Sequence, residues 1–547
     1  MNLARTTFTR LNETSTGRLF IVLALFALCR LLSLLVFYEG FLHIFNAVNF
    51  RLFGAHAPAL LSRVPYHDAS IILSSLLNPY FLLALVLFYV PFFVKRKALR
   101  DKTFTYTAPE RLFIFTAAFL LAWELSTYQF NYYLNQPFYF DRIALIILAF
   151  LLLRFPLLTP LFVAFAYVYR SQFNYPVDGF TLHDKRLLFD LLIMFVVHVY
   201  ARLYLPLLKI PYAFFLILVL ASGYFTGGLS KLTISPHGYE WLLQNDPVNL
   251  FHNICYRGWL AQATESTRHM LESFFTHYGK LFQALAFLIE LSALFILYSR
   301  RAGIIIIVGL LAMHTGIFCM TGFLFWKWMA VDLVLLFCYI YKRGYYVNEL
   351  FQKSYFKTSV LIMFVSFAWL QPIKFGWHDT PANQFFTYEV ENAKGEIYSF
   401  EKNEMNPYHQ WFQLDRFLFL VNKPTLPLSG FGYTAKYAIA KGIVISGPKK
   451  FLQFENANGK DSYQADLKNK YEEFIRTYFT NRNARLNETF LPSAFMAPFH
   501  LYNSETGNVW HEQQPVHTFR VIFNQVYTVN GKPLQITRQV VDEVVIE

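Results

Sequence analysis

Charge is what this sequence has least of. Only 15% of its 547 residues are Asp, Glu, Lys or Arg, while 55% are hydrophobic and 19% aromatic. A water-soluble globular chain carries about 25% charged residues, so a protein soluble throughout is excluded. The apolar residues gather in runs close to the ~20 that a helix needs to cross a bilayer. Cysteine is scarce too, with four in the chain. Cys29, Cys319 and Cys338 lie inside apolar runs, which leaves Cys255 alone in a loop. No disulfide framework follows, and there is no C-x-x-C metal motif. No G-x-G-x-x-G, P-loop, H-x-H or H-E-x-x-H string occurs, so neither a soluble nucleotide fold nor a metal site is indicated.

The net charge of +13 suits either a nucleic-acid partner or a membrane protein with basic cytoplasmic loops. The clearest basic cluster, Lys95 to Lys102, directly follows an apolar segment, which favours the membrane and excludes nucleic acid as the expected partner. The basic N-terminus leads into an apolar run from about Leu19. That run is too long for a signal-peptide core and lacks a small-x-small cleavage site, so it reads as a retained first span.

Ten spans are expected, near 18–38, 71–94, 111–133, 142–169, 187–205, 208–228, 279–299, 303–325, 328–342 and 357–373. Segment 142–169 carries Arg154, Pro156 and Pro160, so it is one kinked span or a tight hairpin of two short helices. The basic strings at Lys95 to Lys102, Ser299 to Gly303 and Tyr341 to Gly344 are expected to face the cytoplasm. Counting spans from the last two puts Lys231 and the C-terminus outside. Counting from the first agrees only if 142–169 crosses twice or another span is partial.

After Trp377 the composition turns polar. The expected architecture is an α-helical polytopic membrane domain over residues 1–375, followed by an extramembrane domain over 376–547. The latter reads as mainly β with at least one helix. Residues 385–400 read as two strands around a glycine turn, Asn530-Gly531 as a hairpin turn, and 463–479 as an amphipathic helix.

Charged and titratable groups inside apolar spans are expensive and raise a functional question. They are Arg30, Glu124, Asp190, His198, Arg202, Glu290, His314 and Asp332. Arg30, Asp190, Arg202 and Asp332 read as structural, Asp190 and Asp332 because they lie near span ends. His198 reads as a packing histidine. Glu290 and His314 are mid-span and need a partner or a cavity. An acid/base or substrate-polarising role is open to His314, because free histidine titrates near neutrality. Lys231 stands at a span end, where an anchoring lysine is ordinary. The nearby Gly223, Gly227 and Gly228 allow another backbone to approach closely, however. Burial would desolvate the ammonium and favour the neutral amine, a usable base.

The string "YFTGGLSKL…GYEWL" (Tyr224 to Leu242) resembles a segment of the vitamin K-dependent γ-glutamyl carboxylases and their bacterial HTTM relatives. The order that follows is similar too: an acidic span at "LIELSALFILYSRR", then a central histidine in "LAMHTGIFCMTGFLFW". The resemblance covers roughly residues 18–345 and is strongest over 212–330. It implies that Lys231 is the base that deprotonates reduced vitamin K or another quinol. Dioxygen then converts the quinol into a stronger base, a peptidyl glutamate loses its γ-proton to that base, and CO2 adds. It also implies that His314 and Glu290 line the cavity and that Tyr224, Gly227, Gly228 and Trp241 shape it. A bacterial inner membrane is the implied location, with a peptide or protein substrate meeting the outer domain and lipid around the spans. Ser230 stands where the carboxylases carry a second lysine, and the tail shows no counterpart of their propeptide-binding region. The competing expectation is a non-enzymatic scaffold or accessory protein whose outer domain binds a peptide, lipid or secretion partner. A transporter would show two similar halves with paired broken helices, and no such symmetry is present.

Overall fold

The computed structural model describes residues 15–37, 70–99, 105–173, 186–205, 210–340, 350–370, 376–490, 496–505, 507–511 and 514–546. The N-terminal two thirds are helical: α1 (Ser15–Phe37), α2 (Ile71–Leu77), α3 (Pro79–Val94), α4 (Ala108–Leu125), α5 (Tyr139–Leu151), α6 (Thr159–Gln172), α7 (Arg186–Tyr204), α8 (Tyr212–Thr233), α9 (Pro247–Cys255), α10 (Glu265–Ser292), α11 (Arg300–Thr321), α12 (Trp326–Ile340) and α13 (Lys353–Val365).

Four of these, α7, α8, α10 and α11, are long and apolar enough to cross a membrane. A fifth counts if α2 and α3, bent by 81° at Asn78–Pro79, are one broken span. That is fewer than the ten expected. Apolar composition shows where a helix is greasy, not how long it stays unbroken. Helices of 13 to 15 residues, such as α5 and α12, reach only about 20 Å at 1.5 Å per residue, short of a hydrocarbon core of about 30 Å. Segment 142–169 is two helices, parted by a single 3-10 turn at Pro156–Leu158. Cys255 is the last residue of α9 rather than a loop residue.

Polar side chains fix the helices at chosen points. Thr107 and Glu110 form a reciprocal capping box at the start of α4. Asp141 of α5 accepts from Ser70 Oγ and from the amides of Ile71 and Ile72, so one helix caps the exposed N–H groups of another. Arg30 of α1 pairs with Asp190 of α7 and reaches Ser222 of α8. His198 bonds the carbonyl of Ile210 at 3.0 Å. Both groups have partners inside the bundle.

The connections sort to two ends of the bundle. At one end Lys95 lies over the Tyr204 ring, Phe214 meets Tyr355, Tyr298 meets Phe356, and Arg300 donates to the Tyr339 carbonyl. The basic residues at 95–97 and 300–301 therefore share this end, while 100–104 and 341–349 lie outside the described residues. At the other end, loops 126–138 and 322–325 and the segment 234–264, which contains α9, meet the C-terminal region. Asn406 Nδ2 donates to the Thr127 carbonyl (2.8 Å), Leu324 N to the His500 carbonyl (2.8 Å), and Asn253 Nδ2 to the Thr380 carbonyl (2.9 Å).

The C-terminal region holds a four-stranded antiparallel sheet. Its strands are β1 (Ala382–Glu391), β2 (Ile397–Ser399), β3 (Thr518–Val529) and β4 (Lys532–Val545), in the order β2-β1-β3-β4. Alternation puts Phe386, Tyr388 and Val390 opposite Phe523, Val521 and Phe519 on one face. That face packs on α15 (Ala465–Asn483), whose Tyr471, Phe474, Ile475, Tyr478 and Phe479 recur at helical spacing. The Asn530-Gly531 turn has positive φ at both residues (49° and 74°), as a tight hairpin requires. Farther along the same face, Ala382 and Tyr527 pack on Ile443 and Phe451 of α14 (Tyr437–Asn458). The sequence analysis names no helix here, and α14 contains Gly447-Pro448, a pair that ordinarily breaks a helix. The chain indeed kinks there, with Gly447 at φ 58°, and then continues as helix.

A buried charge cluster rivets the seam. Arg257 pairs with Asp415 at 2.6 Å and Lys402 pairs with the same carboxylate at 2.9 Å. Close by, burial pushes the Glu505 carboxyl up to about 7, against the pull of Lys402. Burial likewise pushes Asp379 up to about 7, although its carboxylate accepts from Asn245. A carboxyl raised in the fold binds its proton more tightly folded than unfolded. Its contribution is present in full below the ordinary carboxyl range and is lost as pH rises through about 7. The wild type, measured against an Asp379→Asn/Glu505→Gln double variant, is therefore expected to gain about 2–4 °C in Tm between pH 8 and pH 6. Melting curves from tryptophan fluorescence in detergent check this; parallel pH profiles would contradict it.

Candidate functional site

Helix α8 carries Tyr224, Gly227 or Gly228, and Lys231 at successive spacings of three to four. They share one face over two turns. The glycines set what reaches that face. A methyl at Gly228 would lie 3.0 Å from Leu291 Cδ2 and 3.1 Å from the Leu291 amide nitrogen, so α8 and α10 are nearly in backbone contact. A methyl at Gly227 would meet only the Glu290 carboxyl, at 3.7 Å. At Gly223 it would press on Trp328 at 2.8 Å. The glycines thus admit Glu290 and Leu291 of α10 and Trp328 of α12.

Two polar clusters occupy this face. In the one nearer the C-terminal region, Lys231 Nζ pairs with the Glu290 carboxylate and lies 5.4 Å from the centre of the Trp241 ring. Lys231 is 8% exposed, so it does not anchor at a water interface. Trp241 is held from two sides: its Nε1 donates to the Trp377 carbonyl (2.7 Å), and its own carbonyl accepts from Gln283 Nε2 (2.5 Å). Ser230 donates to the Thr226 carbonyl of its own helix (2.6 Å), so its hydroxyl serves the backbone.

The second cluster lies two turns back. Tyr224 Oη is 2.6 Å from Asp332 Oδ2 and 2.8 Å from His314 Nε2, which joins α8, α11 and α12 at one hydroxyl. Trp328 packs edge-on against Tyr224 (4.9 Å), and Phe325 tilts over His314 (5.1 Å). His314 Nδ1 and Asp332 Oδ1 are both buried without a hydrogen-bond partner.

The fold therefore brings Lys231 together with Glu290 and Trp241, and Tyr224 together with His314. Gly227 and Gly228 lie between the two groups. Asp332, read from sequence as structural because it lies near a span end, is fully buried and bonded to Tyr224. Lys327 was not singled out at all. It pairs with Glu124 of α4 at 2.7 Å, one turn before Asp332's own turn. The signal for Asp332 was present, an acid in an apolar segment, but position in the span outweighed it.

A narrow cleft opens where α4 and α6 meet the C-terminal region, lined among others by Glu124, Tyr128, Arg170, His409 and Phe499. Lys231, Glu290 and His314 do not line it. Phe325 connects the two regions, tilted over His314 on one side and edge-on to His500, the neighbour of Phe499, on the other. Among the described residues, no three His, Cys, Asp or Glu side chains are grouped to hold a metal. Comparison with protein-family models, curated proteins and solved structures finds no match.

The two adjacent glycines make opposite steric demands. Gly228→Ala is expected to lower stability by about 1–3 kcal/mol, as overpacking does, because the backbone of Leu291 cannot yield as a side chain can. Gly227→Ala is expected to stay within about 0.5 kcal/mol of wild type, the range of substitutions that disturb no packed feature. Thermal unfolding of the two variants in the same detergent decides; equal losses would contradict the packing described.

Proposed function

We propose that this chain is a vitamin K-dependent carboxylase-like membrane enzyme in which Lys231 is the base that takes a proton from a reduced quinone. The observation that carries the reading is the burial of Lys231 against Glu290 and Trp241, on the same face of α8 as Tyr224, which meets His314 of α11. The surroundings suit a quinol. Trp241, Trp328 and Phe325 supply aromatic walls. The open acceptors, His314 Nδ1 and Asp332 Oδ1, call for a ligand with O–H donors, which a quinol has and a quinone lacks.

When bound, a quinol would supply the reducing equivalents for oxygen chemistry that ends in glutamate carboxylation. The chain's own part is proton handling and exclusion of water. Lys231 and Glu290 share one proton between amine and carboxylate, so moving it to Glu290 leaves Lys231 as a neutral amine beside the ligand. Trp241, fixed by the Trp377 carbonyl and Gln283, holds the amine against an apolar wall. His314 and Tyr224 orient a hydroxyl. Packed helices on all sides keep bulk water from the base.

In this reading the four long apolar helices and the broken α2–α3 pair cross the bilayer, and the shorter apolar helices, α5 and α6 among them, pack beside them within it. In a bacterial inner membrane the basic end would face the cytoplasm and the C-terminal domain the outside. The Lys231–Glu290 pair also suits the scaffold reading, in which the two charges simply join α8 to α10.

Oxygen uptake by the purified protein given reduced vitamin K separates the readings. Lys231→Arg keeps a cation beside Glu290 but cannot give up its proton. Uptake is expected to fall at least ~100-fold in Lys231→Arg and in Lys231→Ala, with expression held in the former. Full uptake in Lys231→Arg would overturn the base role. No uptake by wild type with any quinol, and equal tolerance of both substitutions, would favour the scaffold.

A further inference from the structure

We infer that His314, Tyr224 and Asp332 form a proton relay through the Tyr224 hydroxyl, opening at His314 Nδ1 and closing at Asp332. It goes beyond the quinol reading and does not depend on it.

The argument is one of hydrogen-bond bookkeeping. Tyr224 Oη sits within bonding distance of two groups, 2.6 Å from Asp332 and 2.8 Å from His314 Nε2, but has a single proton to give. An ionised Asp332 can only accept. In that state Tyr224 donates to Asp332, and His314 donates its Nε2 proton to Tyr224. His314 Nδ1 is then a bare lone pair, in keeping with its lack of any partner in the structure. Reversing the line gives a second arrangement that satisfies the same two contacts. A protonated Asp332 donates to Tyr224, Tyr224 donates to His314 Nε2, and Nδ1 carries the histidine proton.

The two arrangements differ by one proton. A proton arriving at Nδ1 lets the Nε2 proton pass to Tyr224 Oη and the Tyr224 proton pass to Asp332 Oδ2. The histidine ends neutral with its tautomer switched, Tyr224 ends unchanged, and Asp332 goes from carboxylate to acid. Only N–H and O–H bonds break and form, and no electrons move between groups. Return of the Asp332 proton resets the line.

Such a device suits its place. The three residues join three helices inside the bundle, where His314 is 5% and Asp332 0% exposed, and intramembrane titratable groups of this kind mark proton paths. The charged and titratable groups that face it are Lys231 on α8, Glu290 on α10, the Lys327–Glu124 pair from α12 and α4, and His500 across the Phe325 ring. A purely structural rivet would hold one arrangement whatever the protonation of Asp332. In the relay, the histidine tautomer and the carboxyl must change together.

That coupling is the test. Full-length protein in nanodiscs is titrated with pH, following the protonated carboxyl stretch of Asp332 by infrared difference against Asp332→Asn. In parallel, the His314 tautomer is followed by 15N NMR of histidine-labelled protein, assigned by difference against His314→Asn. The expected result is one shared midpoint, with His314 passing from the Nε2–H to the Nδ1–H form as Asp332 gains its proton. Tyr224→Phe, which keeps the ring against Trp328, is expected to abolish the tautomer switch while Asp332 still titrates. Protonation of Asp332 with His314 unchanged in the wild type would overturn the relay, and that measurement stands alone if Tyr224→Phe does not fold.

Discussion

The near-contact of α8 and α10 at Gly228 is the constraint on which the polar interior depends. With the Leu291 backbone amide 3.1 Å from where a methyl would sit, these helices have no room for side chains between them at that level. Glu290, the preceding residue, is thereby laid over Gly227 and brought to Lys231. One turn further along, α8 leads into the loop that presents Trp241. Neither charge would tolerate the bundle alone, because breaking a buried pair leaves an uncompensated ion at a cost of about 3–5 kcal/mol. The glycines decide the spacing, and the spacing decides which charges meet.

The C-terminal region completes what the helices begin. It docks on the bundle end where α4, α8 and α11 finish and α5, α10 and α12 start, and it fixes residues of the site from outside. Trp377, just before its first strand contacts, holds Trp241; His500 packs edge-on against Phe325, which covers His314. The Arg257–Asp415–Lys402 cluster makes this seam a packed, charge-satisfied interface. Geometry at Lys231 and His314 is therefore coupled to the docking of a region far away in sequence. The basic residues 95–97 and 300–301 lie at the opposite end of the bundle.

What was legible in the sequence was local. Alternation and the Asn530-Gly531 turn marked the β3–β4 hairpin, helical spacing marked α15, and apolar runs marked the helices of the bundle. The two prolines of 142–169 marked a break and left open a kinked span or two short helices; the fold has the two helices. Long-range pairings were not legible, because periodicity records which side of an element is apolar and not what it faces. Glu124 and Lys327 are separated by 203 positions, and nothing local names either as the other's partner. Asp332 was visible as an acid among apolar residues, but only the fold shows Tyr224 bonded to it. The candidate residues Lys231, Glu290, His314 and Tyr224 were nameable because each is an anomaly in its own surroundings. Their division into two clusters two turns apart was not, since it depends on where α10, α11 and α12 cross α8.

The central claim is that Lys231 is an interior residue, locked against Glu290 and Trp241, and not a lysine at the water surface. Amine footprinting of the protein in nanodiscs with a membrane-impermeant reagent, read by mass spectrometry, tests it most directly. The account predicts that Lys441 and Lys450, which are exposed on α14, are modified readily while Lys231 stays unmodified until the protein is denatured. Modification of Lys231 at the rate of those surface lysines would contradict it.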